Sequence, residues 1–237
     1  MPARFYIPKE LWRNRFLTGE EAHHALKVMR LKVGANIELF NGEGSHMIGE
    51  VSDISNKQLS FHVREEHFTP QPTPLIHLYQ AIPKGKNMDL IIQKAVELGV
   101  NEIHPIITDH TVAVSGDLKK KTEKWRRIAL EACKQCRQTW LPVIHEPVHF
   151  HTLTTCPLEL KVVGALRKEA RKLKEALTTS PPPSDVGILV GPEGDFTDAE
   201  LKHAFELGFT PVTLGSLVLR SETASLYMIS AAKFQLR

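Results

Sequence analysis

A chain of 237 residues, 42% hydrophobic and 24% charged, is long enough to bury the core of one large domain or two smaller ones. Its 30 basic residues nearly balance 27 acidic ones, so the net charge of +3 is weak evidence for a polyanionic partner, and where the basic residues cluster matters more. No window approaches the roughly 18 apolar residues of a membrane span, the opening residues lack a signal peptide's apolar core, and 3 cysteines make no disulfide framework; the expected compartment is the reducing cytoplasm.

The segment up to Pro70 reads as a small β-rich unit. Asn36–Phe40 and His46–Val51 are short strands flanking the turn-forming Asn41-Gly42-Glu43-Gly44, and Gln58–Val63 alternates apolar and polar residues as a half-buried strand does. Between Thr18 and Leu31 the pattern predicts a helix, with Thr18 as N-cap and Glu21 in the capping-box position. It carries His23, His24, Lys27 and Arg30, either an RNA-facing surface or a solvated helix face. The alternating prolines of Thr69–Pro74 mark a domain boundary, because they favour extended chain and cannot continue a sheet interior.

Beyond that boundary the rhythm changes to strand, helix, strand. Leu75–Ile82 reads as a strand, Met88–Leu98 as an amphipathic helix ended by Gly99, and Ile103–Ile107 as the next strand. Lys119–Thr139 is predicted as a long helix, Leu160–Ala165 as a strand, and Lys168–Leu177 as a helix stopped by Ser180-Pro181-Pro182-Pro183. Strand, glycine loop and helix recur from Val186 to Leu207 and from Pro211 onward, with a mostly apolar, largely buried final helix over Ala224–Phe234. Such alternation predicts an α/β fold with a mostly parallel sheet.

Two apolar runs each open into a glycine turn with charge in or just after it. Ile188-Leu189-Val190 leads into Gly191-Pro192-Glu193-Gly194, and Val212-Thr213-Leu214 leads into Gly215, with Arg220 and Glu222 just beyond. Turns at the C-terminal ends of strands are where α/β proteins bind ligands, so one site built from both loops is expected. Thr197-Asp198-Ala199-Glu200 reads as a capping box that starts a helix. Helix N-termini favour anions, but neither a P-loop nor a dinucleotide fingerprint is present, and Glu193 and Asp195 would repel phosphate. A cationic or neutral ligand fits better; the plain alternative is a connecting turn. Arg220 could stabilise an anion developing on a substrate and Glu222 could accept a proton, or the two could form an ion pair at a helix start.

Cys133 and Cys136 lie on one helix face, where core packing explains them better than a metal site that lacks a second pair of ligands. Basic residues gather at Lys119, Lys120, Lys121, Lys124, Arg126, Arg127, Lys134 and Arg137, again at Arg167, Lys168, Arg171, Lys172 and Lys174, and at Lys84 and Lys86. Clusters of this kind in a nearly neutral chain point to a phosphate-backbone partner, although charge runs are often just solvated faces.

Lys84–Val100, Gly191–Phe196 and Leu214–Ala224, in this order and spacing, together resemble the 16S ribosomal RNA uracil-N3 methyltransferases, the ribosomal RNA small subunit methyltransferase E family of the SPOUT superfamily. The resemblance runs from His24–Arg30 and Asn41–Gly44 to the C-terminus. It implies a PUA-like β-barrel RNA-binding domain over residues 1–70 and an α/β methyltransferase domain with a C-terminal trefoil knot over residues 75–237. It also implies S-adenosylmethionine bound in a bent form between the knot loops, a homodimer, no metal, and the small ribosomal subunit as partner.

Carried over by position, the cofactor pocket is Val190, Gly191, Pro192, Glu193 and Gly194 with Leu214, Gly215, Leu217, Leu219, Arg220, Thr223 and Ala224. The candidate catalytic groups are Arg220, to favour an anion on the substrate, with Glu222 or Glu193 to accept a proton, and the candidate RNA contacts are His24, Lys27, Arg30, Lys84, Lys86 and Arg137. Departures from the family pattern fall at Asp195, where a third glycine is common, and at Asp109-His110, where Glu-Arg is usual. Lys134 stands in place of a Glu and Gln138 in place of an Arg. The rival readings are a ribose 2′-O methyltransferase of the same superfamily, from which Glu222-Thr223-Ala224 points away, and a non-catalytic RNA-binding factor, which the intact glycine loops argue against.

Overall fold

Met47, Gly49 and Val51 are buried while the residues between them are not, the period-two pattern of a strand with one face on a core. They belong to the first of two compact units in a computed structural model that describes residues 2–55, 57–111 and 117–236. This unit comprises Met1–Gln71 together with Cys133–Leu141. Its sheet contains β1 (Ala3–Tyr6), β2 (Phe16–Leu17), β3 (Asn36–Phe40), β4 (Ser45–Ser55) and β5 (Gln58–Phe68), in the order β1-β3-β4-β5-β2. β1 runs parallel to β3 and the other pairs are antiparallel. Phe5, Leu17, Ile37, Leu39, Leu59 and Phe61 complete the core.

The turn between β3 and β4 is held by Asn41, whose Oδ1 accepts from the amides of Glu43 (2.8 Å) and Ser45 (3.0 Å). Gly44 has φ +90°, and a Cβ there would lie 2.6 Å from the Thr69 carbonyl oxygen, so no other residue fits without moving backbone.

The expectation for Thr18–Leu31 is corrected in two respects. Only α1 (Gly19–His23) is α-helical, and the chain continues as a π-helical turn over His24–Val28. Thr18 sits at the N-cap but makes no side-chain cap bond. Glu21 does not close a capping box: its carboxylate accepts from the Tyr6 amide at 3.2 Å and pairs with Lys134.

The second unit comprises Pro72–Ala132 and Pro142–Arg237. Its strands are β6 (Leu75–Ala81), β7 (Glu102–Ile107), β8 (Val143–Ile144), β9 (Val148–His149), β10 (Leu160–Gly164), β11 (Arg171–Lys172), β12 (Asp185–Val190) and β13 (Thr210–Thr213). All of these pairings are parallel, in the order β11-β13-β10-β12-β6-β7-β8, with β9 also paired to β7. The run Val186–Val190 is buried throughout, as a central parallel strand covered on both faces must be. The helices are α2 (Asn87–Glu97), α3 (Leu118–Cys136, of which the residues up to Ala132 belong to this unit), α4 (Leu173–Ala176), α5 (Asp198–Glu206) and α6 (Ser221–Gln235). α6 packs on α2, β6 and β12. Leu201 and Ala204 of α5 share a core with Tyr79, Val163, Leu189, Phe196 and Phe209. Among the described residues no helix is long and apolar enough to cross a membrane.

Two helix predictions are corrected here. α3 ends at Cys136 rather than Thr139, because Arg137 takes φ +63° and leaves the helical region. The helix expected over Lys168–Leu177 shrinks to Leu173–Ala176, while Arg171 and Lys172 pair with Val212 and Thr213 at the sheet edge. A short helix is costly to nucleate, and ladder bonds to β13 outweigh it. The α5 capping box forms as expected, with Thr197 Oγ1 accepting from the Glu200 amide (3.3 Å) and Glu200 Oε2 from the Thr197 amide (2.9 Å). Thr197→Ala is expected to cost about 1 kcal/mol, read as a lower denaturation midpoint; an unchanged midpoint would show that the cap contributes nothing.

Candidate active site

β13, β10 and β12 are adjacent parallel strands, and a cleft opens at their C-terminal ends. Its cavity volume is about 240 Å³. The loop after β12 contributes Val190, Gly191, Pro192 and Glu193, and the segment after β13 contributes Leu214, Gly215, Leu217, Leu219, Arg220 and, in α6, Ala224. The two loops therefore meet.

Gly194, Thr223 and Glu222 do not line the cleft. A Cβ on Gly194 would sit 3.1 Å from His110, which occupies that side of the loop. Thr223 is exposed on α6. Glu222 lies in the first turn of α6, where the helix dipole favours a carboxylate, and its Oε2 is buried with no hydrogen-bond partner. The ion pair that a structural reading would require between Arg220 and Glu222 is absent among the described residues.

Sequence reasoning missed a third wall. Gly164, Ala165 and Leu166 after β10 line the cleft, as do Val212, Val218 and Ser221. The signal was available: Val162-Val163-Gly164 is also an apolar run ending in glycine.

It also missed Gln80, a fully buried amide in β6. Its Nε2 donates to the Ala81 carbonyl (2.8 Å) and to Ser221 Oγ (2.9 Å), and Ser225 Oγ donates to its Oε1. Ser221 Oγ donates in turn to the Gly191 carbonyl at 2.7 Å. Gln80 thus ties the start of α6 to the glycine loop after β12, with both hydrogens of its Nε2 donated and its Oε1 accepting one bond.

The electrostatics of the cleft are mixed. Arg220, exposed at the N-cap of α6, lines it beside the positive end of a 15-residue helix. Glu193 lines it too and is steadied by the Lys84 amide, which donates to its Oε1 at 3.0 Å. Asp195 takes φ +58°, a left-handed conformation that aspartate tolerates better than most residues, which explains how it can replace a glycine. Its Oδ1 accepts from the Phe196 amide (2.8 Å), and its carbonyl lies 2.8 Å from His110 Nδ1, which must carry the proton because a carbonyl can only accept. The Asp109 amide donates to Glu200 Oε1 at 2.8 Å. The departures at Asp195 and at Asp109-His110 are therefore neighbours in one loop-to-loop contact.

Of the residues expected to meet RNA, Lys27 and Arg30 are exposed and His24 packs edge-on against Phe5 at 6.1 Å. Lys84 and Lys86 are exposed in the turn before α2. Arg137 is part-buried and pairs with Glu38. Lys134 and Gln138, in unusual positions, are engaged internally, Lys134 with Glu21 and Gln138 with the Trp140 carbonyl at 2.8 Å. Burial pushes the Cys133 thiol up to about 12, so this cysteine packs as an uncharged core residue.

Comparisons with known proteins agree with this geometry. Residues 69–233 match the RNA methyltransferase domain family, and residues 17–63 match the RNA methyltransferase PUA domain. The ribosomal RNA small subunit methyltransferase E of Buchnera aphidicola is 33% identical over 96% of this chain and 91% of its own. A Legionella pneumophila methyltransferase solved with bound S-adenosylmethionine superposes with a TM-score of 0.88 at 31% identity, covering 99% of this chain and 98% of that one. The ribosomal RNA small subunit methyltransferase E of Neisseria gonorrhoeae, also solved with S-adenosylmethionine, gives 0.85 at 30% identity, with 99% and 98% covered. A cleft at the ends of three parallel strands, a PUA domain match and relatives of near-equal length together place this chain in the ribosomal RNA small subunit methyltransferase E family.

Proposed function

We propose that this protein transfers a methyl group from S-adenosylmethionine to N3 of a uridine in 16S rRNA of the small ribosomal subunit. The observation that carries the reading is Arg220, a cation at the edge of the cleft with no ion-pair partner among the described residues. The cleft suits the cofactor. Gly191 lets the chain pass close to the Phe196 ring, where a Cβ would stand 3.1 Å away, and Gly215 at φ +124° exposes backbone groups that can read an adenine. Glu193 and Asp195 supply negative charge for a sulfonium.

Bound there, S-adenosylmethionine supplies an electrophilic methyl group to a nucleophilic nitrogen. Uracil N3 carries a weakly acidic imide proton and becomes nucleophilic only as that proton leaves, spreading charge onto O2 and O4. Arg220 favours that anion. Glu193, in the cleft and held by the Lys84 amide, accepts the proton directly or through water, whereas Glu222 serves the start of α6. No step needs a metal.

In this reading residues 1–70 form a PUA-like barrel and residues 75–237 a SPOUT domain, in which the segments after β12 and β13 belong to a trefoil knot. Gly194 and Thr223 support the cofactor loops from outside the cleft. RNA is gripped by His24, Lys27, Arg30, Lys84, Lys86 and Arg137. The protein works as a cytoplasmic homodimer. The test is methyl transfer from labelled cofactor to undermethylated small subunits, with naked 16S rRNA alongside and the product nucleosides separated. 3-Methyluridine is the expected product; a ribose-methylated nucleoside, or no transfer to authentic subunits, would overturn the reading.

A further inference from the structure

A second cluster of chemistry-bearing side chains lies at the opposite ends of the strands from the cleft. β6 and β7 pair in a register that sets His77 beside Glu102 and Tyr79 beside His104, and the period of two puts all four on one face of the sheet. His145 follows β8, and its amide donates to the Ile103 carbonyl at 3.0 Å. The His104 ring is sandwiched between Tyr79 (centroids 4.3 Å, planes 7° apart) and His145 (4.1 Å, 11°), which fixes where its nitrogens point.

Three imidazoles converge on one carboxylate oxygen. Glu102 Oε2 lies 2.7 Å from His145 Nε2, 3.3 Å from His104 Nε2 and 3.7 Å from His77 Nδ1. His145 makes a hydrogen bond, but His104 Nε2 is off-line for one and is buried without a partner. Buried polar atoms are almost always bonded, so a self-satisfied polar cluster does not account for this nitrogen.

We propose that His77, Glu102 and His104 form a binding site for one divalent transition ion of the zinc class. One donor atom from each residue lies within 4.8 Å of the others. A tetrahedral ion with bonds of about 2.0–2.1 Å holds its ligand atoms about 3.4 Å apart, and the separations of 3.3 and 3.7 Å from Glu102 Oε2 bracket that spacing. Two nitrogens and one oxygen suit zinc, cobalt or nickel, and give too few oxygens for calcium or magnesium. His145 orients the carboxylate, as second partners of metal ligands do. Its side chain is 40% exposed and that of Glu102 32%, which gives an ion a path from solvent. The ligands belong to neighbouring strands at the ends remote from the cleft, so the ion clips β6 to β7 and takes no part in methyl transfer.

The test uses the full-length, tag-free chain stripped with a chelator and titrated with Co²⁺, followed by visible absorption, with Zn²⁺ as competitor. One ion per chain is expected, displaced by Zn²⁺, with a melting temperature that rises on loading. His104→Phe, which keeps the ring stack but removes the donor, and His77→Ala should each weaken binding by at least tenfold. His151→Ala should leave the titration unchanged. Melts without metal show that each variant folds, and if His104→Phe does not fold, His77→Ala decides. Absence of saturable binding to the wild type, or binding unchanged by the ligand substitutions, or binding lost instead in His151→Ala, would overturn the site.

Discussion

Replacing Arg220 by alanine is expected to lower methyl transfer by about a hundred- to a thousand-fold, the usual range for removing one group that stabilises developing negative charge. Cofactor affinity should change little. Arg220 is exposed and makes no ion pair among the described residues, so its removal strands no partner. Its backbone, at φ −66° and ψ 156°, is ordinary extended chain that alanine adopts freely, so α6 should still start at Ser221. Arg220→Lys should recover part of the activity, because charge is retained while the planar fork is lost. The measurements are kcat from product nucleosides and Kd for S-adenosylmethionine by calorimetry. Activity within a few-fold of wild type would remove Arg220 from the chemistry, and a matching loss of cofactor binding would make it a binding residue instead.

What the sequence discloses here depends on how local the cause is. The glycine loops after β12 and β13 and the Thr197 capping box are each written within a few residues, and each was legible. The wall after β10 carries the same kind of signature at Gly164 but no charged residue to draw attention to it. Gln80 could not be recognised from its neighbours, because it bonds to hydroxyls 141 and 145 residues away. Glu21 reads as half of a capping box until the fold presents Lys134 and the Tyr6 amide to it. The edge strand β11 exists only because β13 is there to pair with it. His77, Glu102, His104 and His145 follow no ligand spacing in the chain, and only strand register brings them together. The departures at His110 and Asp195 look like separate oddities in sequence, yet they are one hydrogen-bonded contact in space.

Gln80→Leu is expected to destabilise the protein by about 3 kcal/mol and to weaken S-adenosylmethionine binding by about tenfold. Leucine nearly matches glutamine in volume, so packing is largely kept and the effect isolates the lost bonds. Ser221 Oγ loses its donor, and Ser225 Oγ loses one acceptor but keeps the Ser221 carbonyl at 2.9 Å. The Ala81 carbonyl loses the side-chain bond as well. Each buried group left short costs about 1–3 kcal/mol. The functional effect follows from the next link in the chain: Ser221 holds the Gly191 carbonyl, and Gly191 lines the cleft. Loosening Ser221 lets the glycine loop after β12 and the N-terminus of α6 move independently, so cofactor affinity should fall before the rate at saturating cofactor does. Gln80→Glu separates positioning from mere packing, since a carboxylate can still accept from Ser225 but, when ionised, cannot donate to Ser221. Denaturation midpoints and the Kd and KM for S-adenosylmethionine provide the readout. Stability lost with Kd unchanged would leave Gln80 a core residue only, and no loss of either would show that the network does not hold the loops together.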